Sequence, residues 1–184
     1  MAPSSDAAIF DLYRAGHIEE AFRKLVAEHG DNVYNTALFT LNDEILAQDA
    51  SQEVFLRVYR NLKRFKGDAQ LSTWLYRIVK NVCYDLLKKR KPERLEERQE
   101  SQLRDDSPTP EIEAMADWEH HQLHEAVAKL QYSQRLALTL YYFQERSYEE
   151  VAEIMEQPLG TVKSHLHRGK AALARLLGND EPDE

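Results

Sequence analysis

The chain has 184 residues, of which 42% are hydrophobic and 30% are charged, enough for one mid-sized domain or two small domains with a buried core. It contains no apolar run of about 18 residues, and residues 1–14 lack the basic and apolar regions of a secretory signal. The single cysteine, Cys83, excludes an internal disulfide framework and a cysteine-based zinc cluster. The cytoplasm is the expected location.

The net charge of −8 argues against nucleic-acid binding when it is taken alone, but the charges are unevenly distributed. Residues 54–91 carry 11 basic and 2 acidic side chains. Residues 1–53 carry 3 basic and 10 acidic side chains, and residues 92–125 carry 3 basic and 11 acidic side chains. Residues 157–177 hold four cations and no acid. Two basic stretches inside an acidic chain favour local nucleic-acid-binding surfaces.

Helical periodicity dominates from the N-terminus onward, and no convincing strand pattern is present. Residues 7–29 predict one or two helices broken near Gly16, and residues 31–41 continue helically. Asn42 and Asp43 are typical of a turn or a helix cap. Together these segments predict a helical first domain.

The segment Glu44–Leu62 predicts a strongly amphipathic helix. Its expected core-facing residues are Ile45, Leu46, Val54, Phe55, Val58, Tyr59 and Leu62. Asp49, Gln52 and Glu53 form an acidic and polar patch on the same helix, followed by Arg57 and Arg60.

A short loop, Lys63–Leu71, is expected next, with Gly67 in its turn and Ser72 as a helix N-cap. The helix that follows is predicted over Trp74–Lys91, and Pro92 is expected to end it. Its expected apolar stripe is Trp74, Leu75, Ile78, Val79, Val82, Cys83, Leu86 and Leu87. Trp74 and Cys83 are assigned to the core on this basis, because a buried free cysteine is usually inert.

The polar face of this helix interleaves cations with aromatic side chains. Tyr76, Lys80 and Tyr84 recur at intervals of four, with Arg77 and Asn81 beside them. Such a face suits a melted DNA strand, because aromatic rings stack on bases while cations follow the backbone. A solvated face with half-buried tyrosines has the same pattern, and the residues alone do not decide between the two.

The chain then becomes acidic and polar over residues 93–117, which predicts a flexible linker. A second helical block is expected over residues 118–177. In it, Ser147 and Glu150 have capping-box spacing ahead of a short helix, and Pro158 suits the first position of the next helix. The predicted inward stripe of that last helix is Val162, Leu166, Gly169, Leu173 and Leu176.

Two short helices, a tight turn and a basic second helix predict a helix-turn-helix, whose second helix fits the major groove. The polar side chains left outside the stripe are Thr161, Lys163, Ser164, His165, Arg168 and Lys170. They are positioned to reach base edges and phosphates. An ordinary helical hairpin with a solvated charged face is the alternative.

The whole chain resembles the extracytoplasmic-function (group 4) sigma factors of bacterial RNA polymerase. Residues 49–59, 65–68 and 73–81 are similar to the second conserved region of that family. Residues 147–155 and 160–164 are similar to its fourth region. The two matched blocks occur in the family's order, with a short acidic linker between them.

The resemblance implies an all-α fold of two small helical domains. It places a polymerase-binding and −10-opening domain over residues 1–91 and an acidic linker over 92–122. A −35-binding helix-turn-helix domain covers 123–178, and an acidic tail covers 179–184. The implied function is that of a sigma factor, not an enzyme, which directs polymerase core to promoters and initiates transcription. Its implied partners are polymerase core, promoter DNA and an anti-sigma factor.

The resemblance also implies residue roles by position. Asp49, Gln52, Glu53 and Arg57 fall on the polymerase-contacting helix. The −10 DNA-binding residues are Lys63, Arg64, Phe65, Lys66 and Asp68 in the loop that receives a flipped base, and Tyr76, Arg77, Lys80 and Asn81 on the melting helix. The −35 DNA-binding residues are Thr161, Lys163, Ser164, His165 and Arg168.

The sequence departs from the family pattern at two positions. His165 stands where the family usually has arginine, and a neutral histidine cannot make the bidentate guanine contact of arginine. Gly169 stands where alanine is usual, and glycine weakens a helix by about 1 kcal/mol relative to alanine.

Metal and cofactor chemistry have little support in the sequence. His120, His121 and His124 have helical spacing but lack a partner set of cysteines or carboxylates. No phosphate-binding loop, nucleophile elbow, zinc-protease or dinucleotide signature is present, so no cofactor and no metal are expected.

Two other function classes are the alternatives. A helix-turn-helix regulator that binds operator DNA alone would leave the basic, aromatic face of Trp74–Lys91 unexplained and would favour an obvious dimerisation surface. A nuclease would need a convergent set of metal-binding carboxylates, which no single block supplies. Co-purification with core polymerase distinguishes the sigma factor from the regulator.

Overall fold

The computed structural model describes residues 5–63, 65, 67, 69–97, 122–123 and 125–178. Within this part of the chain every regular element is helical, as predicted, and no helix is long and apolar enough to cross a membrane. The helices are α1 (Ser5–Arg14), α2 (Ile18–Leu41), α3 (Glu44–Leu62), α4 (Leu71–Glu97), α5 (Tyr132–Leu138), α6 (Tyr148–Met155) and α7 (Leu159–Leu176). A π-helical turn, Thr139–Phe143, continues α5 directly.

Local capping residues join the first helices as predicted. Gly16 adopts a positive φ of 87° between α1 and α2, a conformation that favours glycine. Asn42 ends α2 in the left-handed region, and its N–H donates to the Leu38 carbonyl oxygen at 2.7 Å. The Asp43 carboxylate caps α3 by accepting from the Leu46 N–H at 3.0 Å. This two-residue connection folds α3 back along α2.

Helix α4 departs from its predicted limits at both ends. It begins at Leu71, so Ser72 lies inside the first turn and is not the N-cap. The Ser72 N–H is instead bound by the Asp6 carboxylate of α1, at 3.2 Å. At the other end the helix passes through Pro92 to Glu97. The residues around Pro92 are mostly strong helix formers, which favour continuation despite the missing N–H.

The core of the first bundle follows the predicted stripe of α4, where Leu75, Val79, Val82 and Cys83 are buried. Helix α3 contributes Val54, Val58 and Leu62, also as predicted. Two of its expected core residues are exposed instead, with 74% of Ile45 and 47% of Tyr59 accessible. Both lie at the edge of the amphipathic stripe. Periodicity alone does not predict whether a neighbouring helix extends far enough to cover residues at that edge.

The second bundle contains the helix-turn-helix formed by α6 and α7. The Ser147–Glu150 capping box is present: the Ser147 hydroxyl accepts from the Glu150 N–H, and the Glu150 carboxylate accepts from the Ser147 N–H. Pro158 is the N-cap of α7 and not its first residue, a shift of one position. Leu176 is the last residue of α7 and is 43% exposed, so it is not part of the buried stripe in which it was predicted.

Gly169 lies on the inward stripe of α7, as predicted, and its lack of a side chain has a packing role there. It lies on the buried face of α7 against α5, where a Cβ atom would approach Leu138 Cδ1 to 2.9 Å and Gln134 Cβ to 3.3 Å. The glycine therefore allows these two helices to pack closely.

The two bundles share one continuous hydrophobic core. Helices α2 and α4 pack against α5, α6 and the π-helical turn. Phe39 of α2 stacks on Phe143 with ring centroids 4.2 Å apart, and the Tyr132 hydroxyl donates to the Lys80 carbonyl oxygen at 2.7 Å. The C-terminal bundle therefore lies on one side of α4.

Candidate nucleic-acid interface

The outer face of α7 brings together most of the predicted −35 residues. Lys163, Ser164 and Arg168 are exposed, and with His167 they line one shallow depression. The Arg168 Nε donates to the Ser164 carbonyl oxygen at 3.2 Å, which holds the guanidinium along the helix. The surface is cationic, so its side chains can donate hydrogen bonds to phosphate oxygens or to the acceptor atoms of base edges.

His167 was not among the residues predicted from the sequence, although it also lies outside the apolar stripe of α7. Thr161 and His165 lie beside the depression and are half-buried. Burial and the neighbouring Arg168 lower the pKa of His165, so this imidazole is neutral at pH 7.

The predicted −10 face of α4 lies against the second bundle. Tyr76 is only 1% exposed, and its hydroxyl donates to the Gln144 Oε1 atom at 2.5 Å. Arg77 forms an ion pair with Glu153, and Lys80 forms one with Glu156. Asn81 is exposed. The structure thus brings the four predicted residues onto one side of α4 and covers three of them.

The loop that precedes α4 is described in part. Lys63 is exposed, whereas Phe65 is buried, with its ring 5.6 Å from that of Phe10 and 5.1 Å from that of Trp74. Phe65 is therefore a packing residue in this conformation. Gly67 adopts a φ of 79°, and a Cβ atom there would approach the Phe10 ring to 2.9 Å. The predicted residues Arg64, Lys66 and Asp68 lie outside the described residues.

The predicted polymerase-binding residues share the outer side of α3. Asp49 and Gln52 are exposed. The Arg57 Nε donates to the Glu53 carboxylate at 2.7 Å, and its terminal nitrogens reach Asp85 of α4 at 3.3 and 3.4 Å. The hydrogen bond that Arg57 donates to Glu53 raises the pKa of Arg57, and the hydrogen bond to Asp85 makes a smaller contribution.

An apolar component of the same surface was missed by sequence reasoning. Leu56 is 51% exposed one turn after Gln52, and Ile45 is exposed one turn before Asp49. Exposed apolar side chains beside an acidic patch are typical of a protein-binding surface. The described residues contain no cluster of histidine, cysteine or carboxylate side chains able to hold a metal, and the three histidines at positions 120–124 lie outside them.

Family models match both halves of the chain. Sigma-70 region 2 matches residues 25–93, and Sigma-70, region 4 matches residues 120–173. The chain is 32% identical over 168 residues to the ECF RNA polymerase sigma factor SigW of Bacillus subtilis, covering 86% of this chain and 90% of that protein. The chain belongs to the extracytoplasmic-function sigma factors.

Other members of the family are similar over comparable lengths. The ECF RNA polymerase sigma-E factor of Haemophilus influenzae is 30% identical, with 94% of this chain and 95% of that protein covered. The RNA polymerase sigma-H factor of Pseudomonas aeruginosa is 32% identical, with 86% and 87% covered. This extracytoplasmic-function sigma factor therefore directs bacterial RNA polymerase to promoters, as the resemblance implied.

Two solved structures share the fold. The sigma factor RpoE in complex with the anti-sigma factor NepR from Bartonella quintana has a TM-score of 0.69 at 23% identity, covering 87% of this chain and 98% of that chain. CnrH in complex with the cytosolic domain of CnrY has a TM-score of 0.71 at 24% identity, covering 97% and 100%. The order of regions 2 and 4 fits −10 opening by the N-terminal half and −35 binding by the C-terminal half.

Proposed function

We propose that the two halves divide promoter recognition at the level of individual residues. In this proposal residues 1–91 form the domain that binds polymerase and opens the −10 element. Residues 123–178 form the domain that anchors the −35 duplex, and the acidic segment 92–122 connects them in the cytoplasm.

The observation that carries the proposal is the contrast between the exposed face of α7 and the side of α4 that holds Tyr76, Arg77 and Lys80. The face of α7 presents Lys163, Ser164 and Arg168 around one shallow depression and has no phenylalanine, tyrosine or tryptophan side chain. Such a surface suits a duplex groove and its phosphates, and it offers no large aromatic ring to an extruded base. Helix α4 instead places Tyr76 beside Arg77 and Lys80, the combination that suits an unpaired strand.

Strand opening requires that combination, because taking a base out of the stack costs a few kcal/mol and a pocket must compensate for it. The cations of α4 would follow the backbone of the melted strand, and Asn81 would offer hydrogen bonds to a base edge. Lys63 and the rest of the loop 63–71 adjoin the start of α4, where an extruded base would be received.

A paired substitution tests this division. Asn81→Ala changes an exposed side chain of α4, whereas Lys163→Ala changes an exposed side chain of α7. With holoenzyme on a promoter mapped by run-off transcription, Asn81→Ala should leave closed-complex affinity near normal. It should reduce permanganate reactivity per bound complex by roughly fivefold, about the value of one hydrogen bond.

The Lys163→Ala variant should behave in the opposite way. The loss of one phosphate contact should weaken the closed complex and reduce the slope of its salt dependence by roughly one unit. Its permanganate reactivity per bound complex should stay normal. Equal losses of binding and of opening in the two variants would refute the division.

We also propose that the exposed side of α3 binds polymerase core. A carboxylate directed at DNA phosphate would be repelled, so Asp49 and Glu53 are unsuited to a DNA surface. Asp49→Lys should weaken binding to core, measured by fluorescence titration. Asp11→Lys makes the same charge change at an exposed position of α1 and serves as the control. Equal core affinity of the two variants would contradict the assignment.

An anti-sigma protein that spans both bundles is the further partner in this proposal. The solved structures of RpoE and CnrH are complexes with NepR and with the cytosolic domain of CnrY. The free factor should bind duplex promoter DNA weakly, because its acidic segments oppose the phosphate backbone. Pull-downs from the native host that recover only polymerase under every growth condition would remove support for the anti-sigma partner.

A further inference from the structure

Two tyrosine rings stack on each other beside the exposed face of α7. Tyr141 lies in the π-helical turn, and Tyr148 is the first residue of α6. Their ring centroids are 4.7 Å apart, and the rings are nearly parallel, with an interplanar angle of 5°. A hydrogen bond with the Tyr148 side chain raises the pKa of the Tyr141 hydroxyl. The two rings are therefore joined through their faces and through their hydroxyl groups.

This pair of rings also contacts α7. The Lys163 ammonium lies over the Tyr148 ring, 5.7 Å from its centroid. A cation–π contact at this distance attracts the ammonium electrostatically and does not use its N–H donors. The three donors of Lys163 therefore stay available for phosphate oxygens. The contact joins the start of α6 to the second turn of α7, the two helices of the helix-turn-helix.

The backbone that carries both rings is held by local hydrogen bonds. The capping box at Ser147 fixes the start of α6 with hydrogen bonds of 2.8 and 3.2 Å. The Gln144 N–H donates to the Thr139 carbonyl oxygen at 3.1 Å and closes the π-helical turn. Such turns are rare and are frequent at functional sites. The rings therefore meet at a well-defined place on the surface.

The arrangement favours contact with a cation over contact with a base. Tyr148 is 36% exposed, but Tyr141 and the Lys163 ammonium already lie against its ring. An extruded base that stacked on Tyr148 would have to displace one of these two partners. The ring is instead suited to holding the ammonium beside the DNA-binding face.

Holding the ammonium in advance has a consequence for binding. A lysine side chain is long and flexible, and it loses rotamer freedom when it is immobilised on a phosphate. A contact that restricts the side chain before DNA arrives reduces this loss and so increases affinity.

We propose that the Tyr141–Tyr148 stack positions Lys163 for a phosphate contact in the −35 duplex. This role rests on the proposed binding of that duplex by α7. Tyr148 acts through Lys163 and is a positioning residue, and Tyr141 supports the Tyr148 ring from the π-helical turn.

The first measurement is independent of DNA and uses nuclear magnetic resonance on the free full-length protein with isotope-labelled lysine. The ring current of Tyr148 should shift the ε-methylene protons of Lys163 upfield of those of Lys170, an exposed lysine later in α7. Lys163→Met assigns the signal by removing it. Tyr148→Leu should move the signal to the position of Lys170. An unchanged signal in Tyr148→Leu would overturn the contact.

The second measurement is a double-mutant cycle on the closed complex that holoenzyme forms with a mapped duplex promoter. Tyr148→Leu should weaken this complex about threefold, the scale of a cation–π contact at an exposed site. In the Lys163→Met background, Tyr148→Leu should cause no further loss, because the cation that the ring positions is absent. An equal loss in both backgrounds would indicate damage to the fold or a direct DNA contact of Tyr148, and it would overturn the proposal.

Two further variants test whether the ring of Tyr148 is what matters. Tyr148→Phe keeps the ring without the hydroxyl and should keep the affinity of the parent. Tyr142→Leu removes a neighbouring tyrosine that is 56% exposed and meets Tyr141 edge-on, with ring centroids 4.9 Å apart. It should also bind as the parent does. A loss as large as that of Tyr148→Leu in either variant would contradict the positioning role.

The failure of this proposal and the failure of the proposed −35 role give different results. If the stack did not position Lys163, Lys163→Met would still weaken the closed complex, but the effects of Tyr148→Leu and Lys163→Met would be additive. If α7 did not bind the −35 duplex through Lys163, Lys163→Met would leave the closed complex unchanged while the resonance shift still reported the contact. That second result would refute the phosphate contact of Lys163 and, with it, the positioning role of the stack.

Discussion

Asp6 joins three helices of the first bundle, and its removal should destabilise the protein in a pH-dependent way. Its Oδ1 atom is 3.0 Å from the His29 Nε2 atom of α2. Its Oδ2 atom accepts from the Ser72 N–H at 3.2 Å, in the first turn of α4. Asp6→Ala removes both contacts and leaves the Ser72 N–H, in a buried residue, without this acceptor.

The expected loss follows from the two contacts. A hydrogen bond to a charged group contributes about 1.5–3 kcal/mol, and loss of a helix cap costs about 1 kcal/mol. The Asp6 side chain is 27% exposed, so solvent reduces these contributions. We expect a loss of about 2 kcal/mol in the free energy of unfolding at pH 7, measured by urea denaturation with circular dichroism.

The sign of the pH dependence follows from the lowered pKa of Asp6, for which the hydrogen bond from His29 is the largest cause. Above the ordinary value of 3.8 the carboxylate is ionised in both folded and unfolded chains, and its stabilising effect is fully present. As the pH falls from 3.8 toward the folded-state pKa, the unfolded chain binds the proton first. The difference between the parent and Asp6→Ala should therefore shrink.

Asp11→Ala is the control for this experiment. It changes an exposed carboxylate on the same helix and should alter stability by no more than about 0.5 kcal/mol. Equal losses from Asp6→Ala and Asp11→Ala, or a difference that grows as the pH falls below 3.8, would refute the reasoning.

Three other predictions follow from the structure. Gly30→Ala should stabilise the protein by about 1 kcal/mol, because nothing lies within 4 Å of a Cβ atom at that position. Gly169→Ala should stabilise it less or destabilise it, because the new Cβ atom would crowd α5, and chemical denaturation measures the free energy of unfolding of both variants. His165→Arg should tighten binding to a −35 duplex about tenfold and steepen its salt dependence by roughly one unit, and an unchanged salt slope in a titration would contradict this. Burial raises the pKa of the Cys83 thiol to about 12, so a thiol reagent at pH 8 should label it only when the chain unfolds, and rapid native labelling would count against this burial.

Sequence reasoning was most successful where the determining interaction is local. Asp43 caps α3 by accepting from the N–H of a residue three positions later, and the Ser147–Glu150 capping box also joins residues three positions apart. The break at Gly16 needs only the conformational freedom of glycine. These elements were predicted because caps and turns depend on neighbours in the sequence.

The errors lie where the determining partner is distant in the sequence. Ser72 was expected to cap α4, but its N–H is bound by Asp6, 66 residues earlier. Ile45 and Tyr59 were assigned to the core, yet no neighbouring helix in the described part of the chain covers them enough to bury them. Gly169 was predicted to face inward and to weaken its helix, but the partner that needs its small size, Leu138 of α5, could not be identified from the sequence.

In the candidate site, too, the features set by local sequence were predicted and those set by distant residues were not. The α7 residues Lys163, Ser164 and Arg168 were identified from a one-sided helical pattern, and the structure exposes them on one surface. The α4 residues were also placed correctly on one side of their helix. Their burial was not predictable, because it depends on a second bundle packed on that side.

The sequence by itself determined the family, the two helical blocks and the separation of basic from acidic segments. Those properties depend on residue type and on spacing within a few helical turns. Only the tertiary structure decided that Arg77 and Lys80 meet Glu153 and Glu156, each pair 76 residues apart. An ion pair between residues so far apart in the sequence forms only when packing brings two surfaces together. Helical periodicity does not predict which surface packs against α4.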